Sequence, residues 1–180
     1  GGEFDATNII QNPAVSIITP ISCDHKEYLG ESISKIAKAK AGIIKKNVPT
    51  IISKQSSVVR KIIKEKCKEN GSDAIWSEEG FTVSISRKSI IQKDRHKNIE
   101  FPFPNLTGTH QVMNALTAIS TLTHLNIPDK YICEGLKSVY WPARLQKIEN
   151  GSLYELITSY NIKNQLWVDG GHNEDASVQL

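Results

Sequence analysis

The stretch from Glu31 to Ile44 has the hydrophobic period of a helix that is buried along one side. Its apolar residues recur at helical spacing, at Ile33, Ile36, Ala37, Ala41 and Ile44. Lys40 lies near the centre of the same face, whereas Lys35 and Lys38 point away from it. A lysine there can extend its amine to solvent, pair with a buried carboxylate, or lose its proton, because burial lowers the pKa of an amine. A neutral amine can capture carbon dioxide as a carbamate, and the pattern leaves all three outcomes open.

Short β-branched runs alternate with helical patterns over the first half of the chain. Strands are predicted at 14–19, 48–52 and 74–76, and a helix that stops at Gly71 is predicted over 55–69. This order favours a parallel sheet flanked by helices. The alternation of apolar and polar residues then predicts an antiparallel extension, with strands at 81–86, 89–92 and 99–103. The predicted fold class is therefore α/β, with a mostly parallel sheet, flanking helices and an antiparallel extension.

The longest helical pattern runs over 107–125, and a shorter helix is predicted over 129–139. Pro142 after Trp141 predicts an extended or turning linker. We place a domain boundary at this linker, with residues 1–143 before it and 144–180 after it. Strands are predicted beyond it at 145–148 and 165–168, whereas 153–160 is too short and polar to assign.

Composition and charge narrow the class of protein. A chain of 180 residues with 39% hydrophobic and 23% charged residues is typical of one globular domain or of part of a larger protein. A net charge of +3 gives no argument for a nucleic-acid partner. No apolar stretch approaches the length of about 18 residues that a membrane-spanning helix needs. Three widely spaced cysteines without a C-x-x-C pair indicate a reducing compartment, so a cytoplasmic location is expected.

Polar side chains also lie where ligands are commonly bound. His25 follows the carboxyl end of the first predicted strand, where open α/β sheets bind ligands, although a loop histidine can equally cap a helix or face solvent. Asn114 lies at the edge of the apolar face of its helix, where its amide either satisfies nearby backbone or meets a ligand. His110 is interpreted as structural. Residues 168–173 follow a strand and precede a predicted helix, a place where backbone N–H groups gather anions.

Six sequence blocks, in order along nearly the whole chain, resemble the folylpolyglutamate synthase and dihydrofolate synthase group of the Mur ligase family. They read GGEFDATNII, SCDHKEYLG, IAKAKAGIIK, LTGTHQVMNALTAI, WPARLQ and VDGGHN. The family has WPGR and DGAHN in the last two, so Ala143 replaces a glycine and Gly171 an alanine. An alanine is strained there if the backbone requires a positive φ. The resemblance implies part of the Mur-ligase-type central ATPase domain over 1–143 and the start of a Rossmann-like C-terminal domain over 144–180.

The resemblance implies an ATP-dependent ligase that joins L-glutamate to dihydropteroate or folate through an acyl phosphate. It implies two catalytic residues, Lys40 as a carbamate and His172, and one Mg²⁺ ligand, His25. The implied pterin contacts are Phe4, Asp5 and Ala6. The implied ATP contacts, to the base, a phosphate and the ribose, are Asn114, Arg144 and Asp169.

The sequence contains no G-x-x-x-x-G-K-[ST] phosphate loop. The family places that loop, and a magnesium-binding glutamate, upstream of the first block. We therefore expect a fragment that folds but shows no turnover by itself, leaves Lys40 uncarbamylated and self-associates through exposed apolar surface. Two alternative functions stay open: a cell-wall precursor ligase of the same family, and a non-catalytic nucleotide-binding module derived from it.

Overall fold

Three short strands form a parallel sheet whose crossover helices lie against it. The computed structural model describes residues 2–22, 32–93, 98–160, 165–171 and Ser177. The strands are β1 (Ser16–Ile18), β2 (Thr50–Ile52) and β3 (Ala74–Trp76), paired in that order. Helix α1 (Ile33–Ala41) connects β1 to β2, and α2 (Ser57–Asn70) connects β2 to β3. β-Branched residues supply most of β1 and β2 because such side chains pack well on a pleated surface.

The first hydrophobic core lies between this sheet and its two helices. Ile36 from α1, Ile63 from α2 and Ile52 from β2 are completely buried in it. Helix α2 ends at Gly71, which has a φ of +61° and caps the last carbonyls from the left-handed region, as its sequence pattern predicts.

A second core lies between an antiparallel sheet and two further helices. The sheet contains β4 (Phe81–Ser84), β5 (Ser89–Lys93) and β6 (Asn98–Pro102), and the helices are α3 (Thr109–His124) and α4 (Asp129–Ser138). Ile90, Phe101 and Ile119 are fully buried between them. The predicted antiparallel extension is therefore confirmed, with bounds that differ from the predicted ones by one or two residues.

Hydroxyl groups join the two cores at the carboxyl edge of the parallel sheet. Ser53 follows β2, Ser77 follows β3, and Thr117 lies on the facing side of α3. The Thr117 hydroxyl lies 2.7 Å from that of Ser53 and 3.2 Å from that of Ser77, and all three residues are buried. These hydrogen bonds fix where α3 crosses the sheet edge, because a buried hydroxyl without a partner is costly.

The last described elements are β7 (Gln146–Ile148), α5 (Ser152–Ser159) and β8 (Leu166–Val168), in which β7 and β8 pair antiparallel. The segment that the sequence pattern left unassigned is thus the helix α5. Several large apolar side chains of this region are exposed, namely Leu153, Leu156, Tyr160 and Trp167. None of the helices in the described ranges has the length and apolar character needed to cross a membrane.

The buried hydroxyls lead to a first prediction. Replacing Thr117 by valine keeps the volume but leaves the hydroxyls of Ser53 and Ser77 without this partner, so we expect a loss of about 1–3 kcal/mol in the free energy of unfolding. Thr123→Val in the same helix is the control, because the Thr123 hydroxyl is buried and has no hydrogen-bond partner among the described residues. Urea denaturation should show Thr123→Val as neutral or stabilising; equal losses in both variants would contradict the role of the cluster.

Candidate functional site

The first residues of the chain lie directly against the end of α1. A Cβ atom on Gly2 would lie 2.2 Å from the Ala39 carbonyl oxygen and 2.6 Å from the Lys40 Cα atom. A Cβ atom on Gly42 would lie 2.6 Å from Glu3 Cβ. Both positions therefore need glycine, because any side chain would force the two backbones apart. This contact joins the segment of the predicted pterin residues to the helix of Lys40.

Polar contacts fix the same segment further along. It forms two 3₁₀ turns, Gly2–Phe4 and Ala6–Ile9. The Asn8 side-chain amide donates to the Glu3 carbonyl at 2.9 Å, and the Lys45 amine donates to the Asn8 carbonyl at 2.8 Å. The segment therefore has a defined path along α1, with Ala6 on its exposed side.

Asp5 caps the second of these turns. Its Oδ1 atom accepts hydrogen bonds from the Thr7 hydroxyl at 2.6 Å and the Thr7 backbone N–H at 2.8 Å. These two bonds lower the pKa of the Asp5 carboxyl below its ordinary value, with the hydroxyl contributing more than the backbone N–H. The predicted pterin residue Asp5 is thus a pre-ordered carboxylate.

Lys40 lies in the last turn of α1 and is half-buried. It is therefore neither deep in the core, as the centre of a buried face would be, nor fully in solvent. The buried residues of the helix are Ile36, Ala37 and Ala41. Within the described part of the chain, its amine has no hydrogen bond or ion pair. His25 lies outside the described residues, so its relation to Lys40 stays a prediction.

Asn114 is exposed on α3, at the mouth of two cavities. One, of about 260 Å³, lies between α3 and α4 and has mainly apolar walls, including Ala118, Ile119 and Leu136. The other, of about 470 Å³, lies between α3 and β1. A flat, mainly apolar group would fit against this part of α3, with the Asn114 amide beside it.

Asp169 holds the linker against the segment that follows β8. One carboxylate oxygen accepts from the Leu145 backbone N–H at 2.6 Å and the other from the Gly171 backbone N–H at 2.6 Å. The Gly170 N–H donates to the Ala143 carbonyl at 2.8 Å. The predicted ATP residues Arg144 and Asp169, which are far apart in sequence, are thereby brought together.

Ala143 and Leu145 adopt φ values of +55° and +45° on either side of Arg144. Ala143 is therefore strained, because its backbone occupies the left-handed region, where a glycine would be unstrained. Ala143 and Leu145 turn the chain so that the Asp169 carboxylate can accept a hydrogen bond from the Leu145 backbone N–H.

The structure thus brings together two of the predicted groups, the pterin segment with Lys40 and Arg144 with Asp169. His172, like His25, lies outside the described residues. Sequence reasoning did not single out Gln111, which lies 3.2 Å from the Asn114 amide, and it took His110, which lies 2.9 Å from the Gln111 amide, as structural. The spacing of three residues between Gln111 and Asn114 was the available signal, since such residues are neighbours on a helix.

The described residues alone do not form a metal site. No group of three or more His, Cys, Asp or Glu side chains suited to a metal ion occurs within them. A site for Mg²⁺ at Lys40 therefore depends on His25, outside those ranges, and on a carbamate that a free amine does not provide.

Comparison with known proteins shows which family the chain resembles. A family model described as the Mur ligase middle domain matches residues 2–122. The dihydrofolate synthetase of Saccharomyces cerevisiae is 34% identical and the probable dihydrofolate synthetase of Schizosaccharomyces pombe 31% identical, each over 100% of this chain and 42% of the relative. The chain thus spans about two fifths of these relatives.

Solved structures with a fold similar to this chain include those of an enzyme named FPGS. The apo form of the L. casei enzyme FPGS is 28% identical, with a TM-score of 0.74, over 98% of this chain and 42% of that one. An FPGS–AMPPCP–folate complex is 28% identical, with a TM-score of 0.77, over 99% of this chain and 43% of that one.

The contact of Gly42 leads to a second prediction. Gly42→Ala should cost about 1–3 kcal/mol of unfolding free energy, because its Cβ atom would overlap Glu3 and displace residues 2–9 from α1. Gly135→Ala in α4 is the control: nothing lies within 4 Å of its added Cβ, so a gain of about 0.5–1 kcal/mol is expected from helix propensity. NMR shifts of residues 2–9 should move only in Gly42→Ala, and unmoved shifts would contradict the contact.

A third prediction concerns the ionisation of Asp5. Thr7→Val removes the hydroxyl bond, so the pKa of Asp5 should rise towards its ordinary value, whereas Thr7→Ser should leave it lowered. Because the folded-state pKa is lowered, these bonds stabilise the fold above the unfolded-state pKa and are lost as pH falls through the folded one. Carboxyl ¹³C shifts followed against pH measure this directly, and identical titration of all three proteins would contradict it.

Proposed function

The chain belongs to the Mur ligase family, through a middle domain over residues 2–122, and from this premise we propose that it forms part of an ATP-dependent ligase joining L-glutamate to dihydropteroate or folate. Relatives named dihydrofolate synthetase and folylpolyglutamate synthase match it over 97–100% of its length. A structural neighbour at 28% identity is a complex with folate and the ATP analogue AMPPCP. These names support both the substrate class and the use of ATP.

The observation that carries the proposal is that Gly2 and Glu3 pack against the end of α1. The predicted pterin residues Phe4, Asp5 and Ala6 follow Gly2, whose backbone contacts Lys40. A segment for the substrate and a helix for a catalytic group are thus joined by direct backbone packing. Such a rigid joint is what positioning of two reactants requires.

The reaction we propose has two steps. The substrate carboxylate attacks the γ-phosphorus of ATP, ADP leaves, and an acyl phosphate forms. The amino group of glutamate then attacks the acyl carbon, and the tetrahedral intermediate expels phosphate as the amine loses its proton. Negative charge stays on oxygen throughout, so catalysis needs mainly positioning and electrostatic stabilisation.

The nucleotide contacts follow from the described geometry and the resemblance together. Asn114 would contact the base at the mouth of its cavities. Arg144 would contact a phosphate, and Asp169 the ribose. Asp169 already accepts two backbone N–H groups, but each carboxylate oxygen has a further lone pair for a ribose hydroxyl. His172 is proposed as a catalytic residue beside the phosphates.

Mg²⁺ belongs to the proposal through the resemblance. His25 would hold one Mg²⁺, the carbamate of Lys40 would ligate or orient a second metal ion, and the ions would neutralise charge on the phosphate oxygens. The described residues do not form this site by themselves, so no reaction step is assigned to the ions. Among the described residues, no hydrogen bond or ion pair competes with carbamate formation at the half-buried Lys40 amine.

Two organisational points complete the proposal. We keep the domain boundary at 143/144, because the linker turns there on its two left-handed residues. We also keep a cytoplasmic location, because Cys67 and Cys133 are both free thiols.

The test assays the purified protein, in the length that its gene encodes, with ATP, Mg²⁺, L-glutamate and either dihydropteroate or a reduced folate. Product mass and ADP release are followed together. Lys40→Arg keeps the charge but cannot form a carbamate, so we expect turnover to fall at least about 100-fold. The control is Lys38→Arg, which is exposed on the same helix and should keep full activity.

Other results of this assay would favour a different function or contradict part of the proposal. Product with a muramyl peptide precursor, and none with a pteroate, would favour a cell-wall ligase. Nucleotide binding without turnover of either substrate would favour a non-catalytic module. A fully active Lys40→Arg protein would contradict the carbamate. Residues 1–180 alone are expected to show no turnover, and activity from them would refute that expectation.

A further inference from the structure

The linker around Arg144 has an unfavourable backbone conformation. Ala143 and Leu145, the residues on either side of Arg144, both have a positive φ, which brings the Cβ atom of any residue but glycine too close to a carbonyl oxygen. A turn of this kind persists only where the surrounding structure holds it in place. The hydrogen bonds made by these two residues therefore decide where Arg144 lies.

The Gln146 side-chain amide holds this turn from one side. Its Oε1 atom accepts from the Ala143 backbone N–H at 3.0 Å, and its Nε2 atom donates to the Tyr140 hydroxyl at 3.0 Å. A backbone N–H can only donate, so the Gln146 oxygen must face Ala143 and the nitrogen must face Tyr140. The backbone therefore fixes the orientation of this amide.

Asp169 and Gly170 hold the same turn from the other side. The Asp169 carboxylate accepts from the Leu145 N–H at 2.6 Å, and the Ala143 carbonyl accepts from the Gly170 N–H at 2.8 Å. The N–H groups of both left-handed residues thus bind a side-chain oxygen, one from Gln146 and one from Asp169. Asp169 is also the proposed ribose contact, whereas no role has been assigned to Gln146.

The turn brings the Arg144 side chain onto Gly170. A Cβ atom added to Gly170 would lie 3.4 Å from Arg144 Nη1 and 3.5 Å from the Ala143 carbonyl oxygen, so the guanidinium lies close to the glycine backbone. The Arg144 side chain is exposed, and within the described ranges it has no ion pair or hydrogen bond. Its donors are therefore available to an anion such as a phosphate.

We propose that Gln146 is a positioning residue that places the Arg144 guanidinium where it meets a phosphate of the nucleotide. This inference rests on the proposed function, which assigns Arg144 to a phosphate. Gln146 acts through the backbone: loss of its bond to the Ala143 N–H would let the turn relax and move Arg144 away from Gly170. Tyr140 completes the arrangement, because its hydroxyl holds the other end of the same amide.

The experiment measures the affinities of the purified protein, in the length that its gene encodes, for ATP and for adenosine. The two ligands share base and ribose, so the ratio of their affinities reports on the triphosphate. Gln146→Met keeps a side chain of similar length but removes both hydrogen bonds. ATP binding should therefore weaken about threefold to tenfold, while adenosine binding changes by less than about twofold. Tyr140→Phe removes one bond of the amide and should weaken ATP binding by about threefold or less.

Gln165→Met is the matched control, with the same replacement at a second glutamine. Gln165 is exposed just before β8, and its Oε1 atom accepts from the Trp167 indole N–H at 3.2 Å. In the described part of the chain it makes no hydrogen bond to the linker. Its ratio of ATP to adenosine affinity should match that of the parent protein.

A double-mutant cycle tests whether Gln146 acts through Arg144. Gln146→Met should weaken ATP binding in the parent protein but add less than about twofold to the loss in an Arg144→Ala background. An equal loss in both backgrounds, an equal loss for ATP and adenosine, or no loss at all would overturn the inference and leave the proposed function intact.

Hydrogen exchange at the Ala143 amide supplies a readout that needs no nucleotide. Exchange should be about fivefold faster or more in Gln146→Met than in the parent protein, because the N–H loses its acceptor. Unchanged exchange would overturn the inference. No binding of ATP to the parent protein would instead overturn the proposed nucleotide site, and this inference with it.

Discussion

The arrangement of this protein depends on how closely two backbones can approach at the end of α1. Gly2 and Gly42 lack the side chains that would separate them, so the first 3₁₀ turn lies against the last turn of the helix. This contact places two of the groups proposed to act on the substrate, since it fixes Asp5 and Lys40 relative to each other. Gly42 ends α1 with an ordinary right-handed φ of −61°, so close approach rather than a left-handed cap explains the glycine.

Other polar contacts fix the relative positions of residues that are far apart in sequence. The Ser53, Thr117 and Ser77 hydroxyls join the parallel sheet to α3, and α3 carries Asn114. The Asp169 carboxylate joins the loop after β8 to the linker that carries Arg144. In both cases a side chain that binds backbone or another hydroxyl positions a neighbour that is free to meet a ligand. The proposed site is therefore supported by Thr117, which has no proposed contact with a substrate, and by Asp169, which is itself a proposed ribose contact.

The strands, helices and antiparallel extension could be predicted because hydrophobic period and turn residues act locally. Ile33, Ile36 and Ala37 repeat at helical spacing whatever surrounds them, and Gly71 ends its helix through its own backbone freedom. The helix α5 could not be assigned, because its eight residues make only about two turns, too few for a helical repeat to be distinguished from a strand. The helical spacing predicted Lys40 on the buried face of α1. Its side chain is only half-buried, because solvent reaches the last turn of the helix.

The sequence by itself determined the order of the elements, the family and the residue types at the site, because each of these is written in local spacing and short motifs. Only the tertiary structure decided which distant residues meet. No local pattern shows that Gly2 contacts Lys40, that Asp169 accepts from Leu145, or that Thr117 contacts two serines that follow separate strands. Such contacts depend on how packed backbones and buried hydrogen bonds close in three dimensions, where one added methyl group or one unpaired hydroxyl changes the outcome.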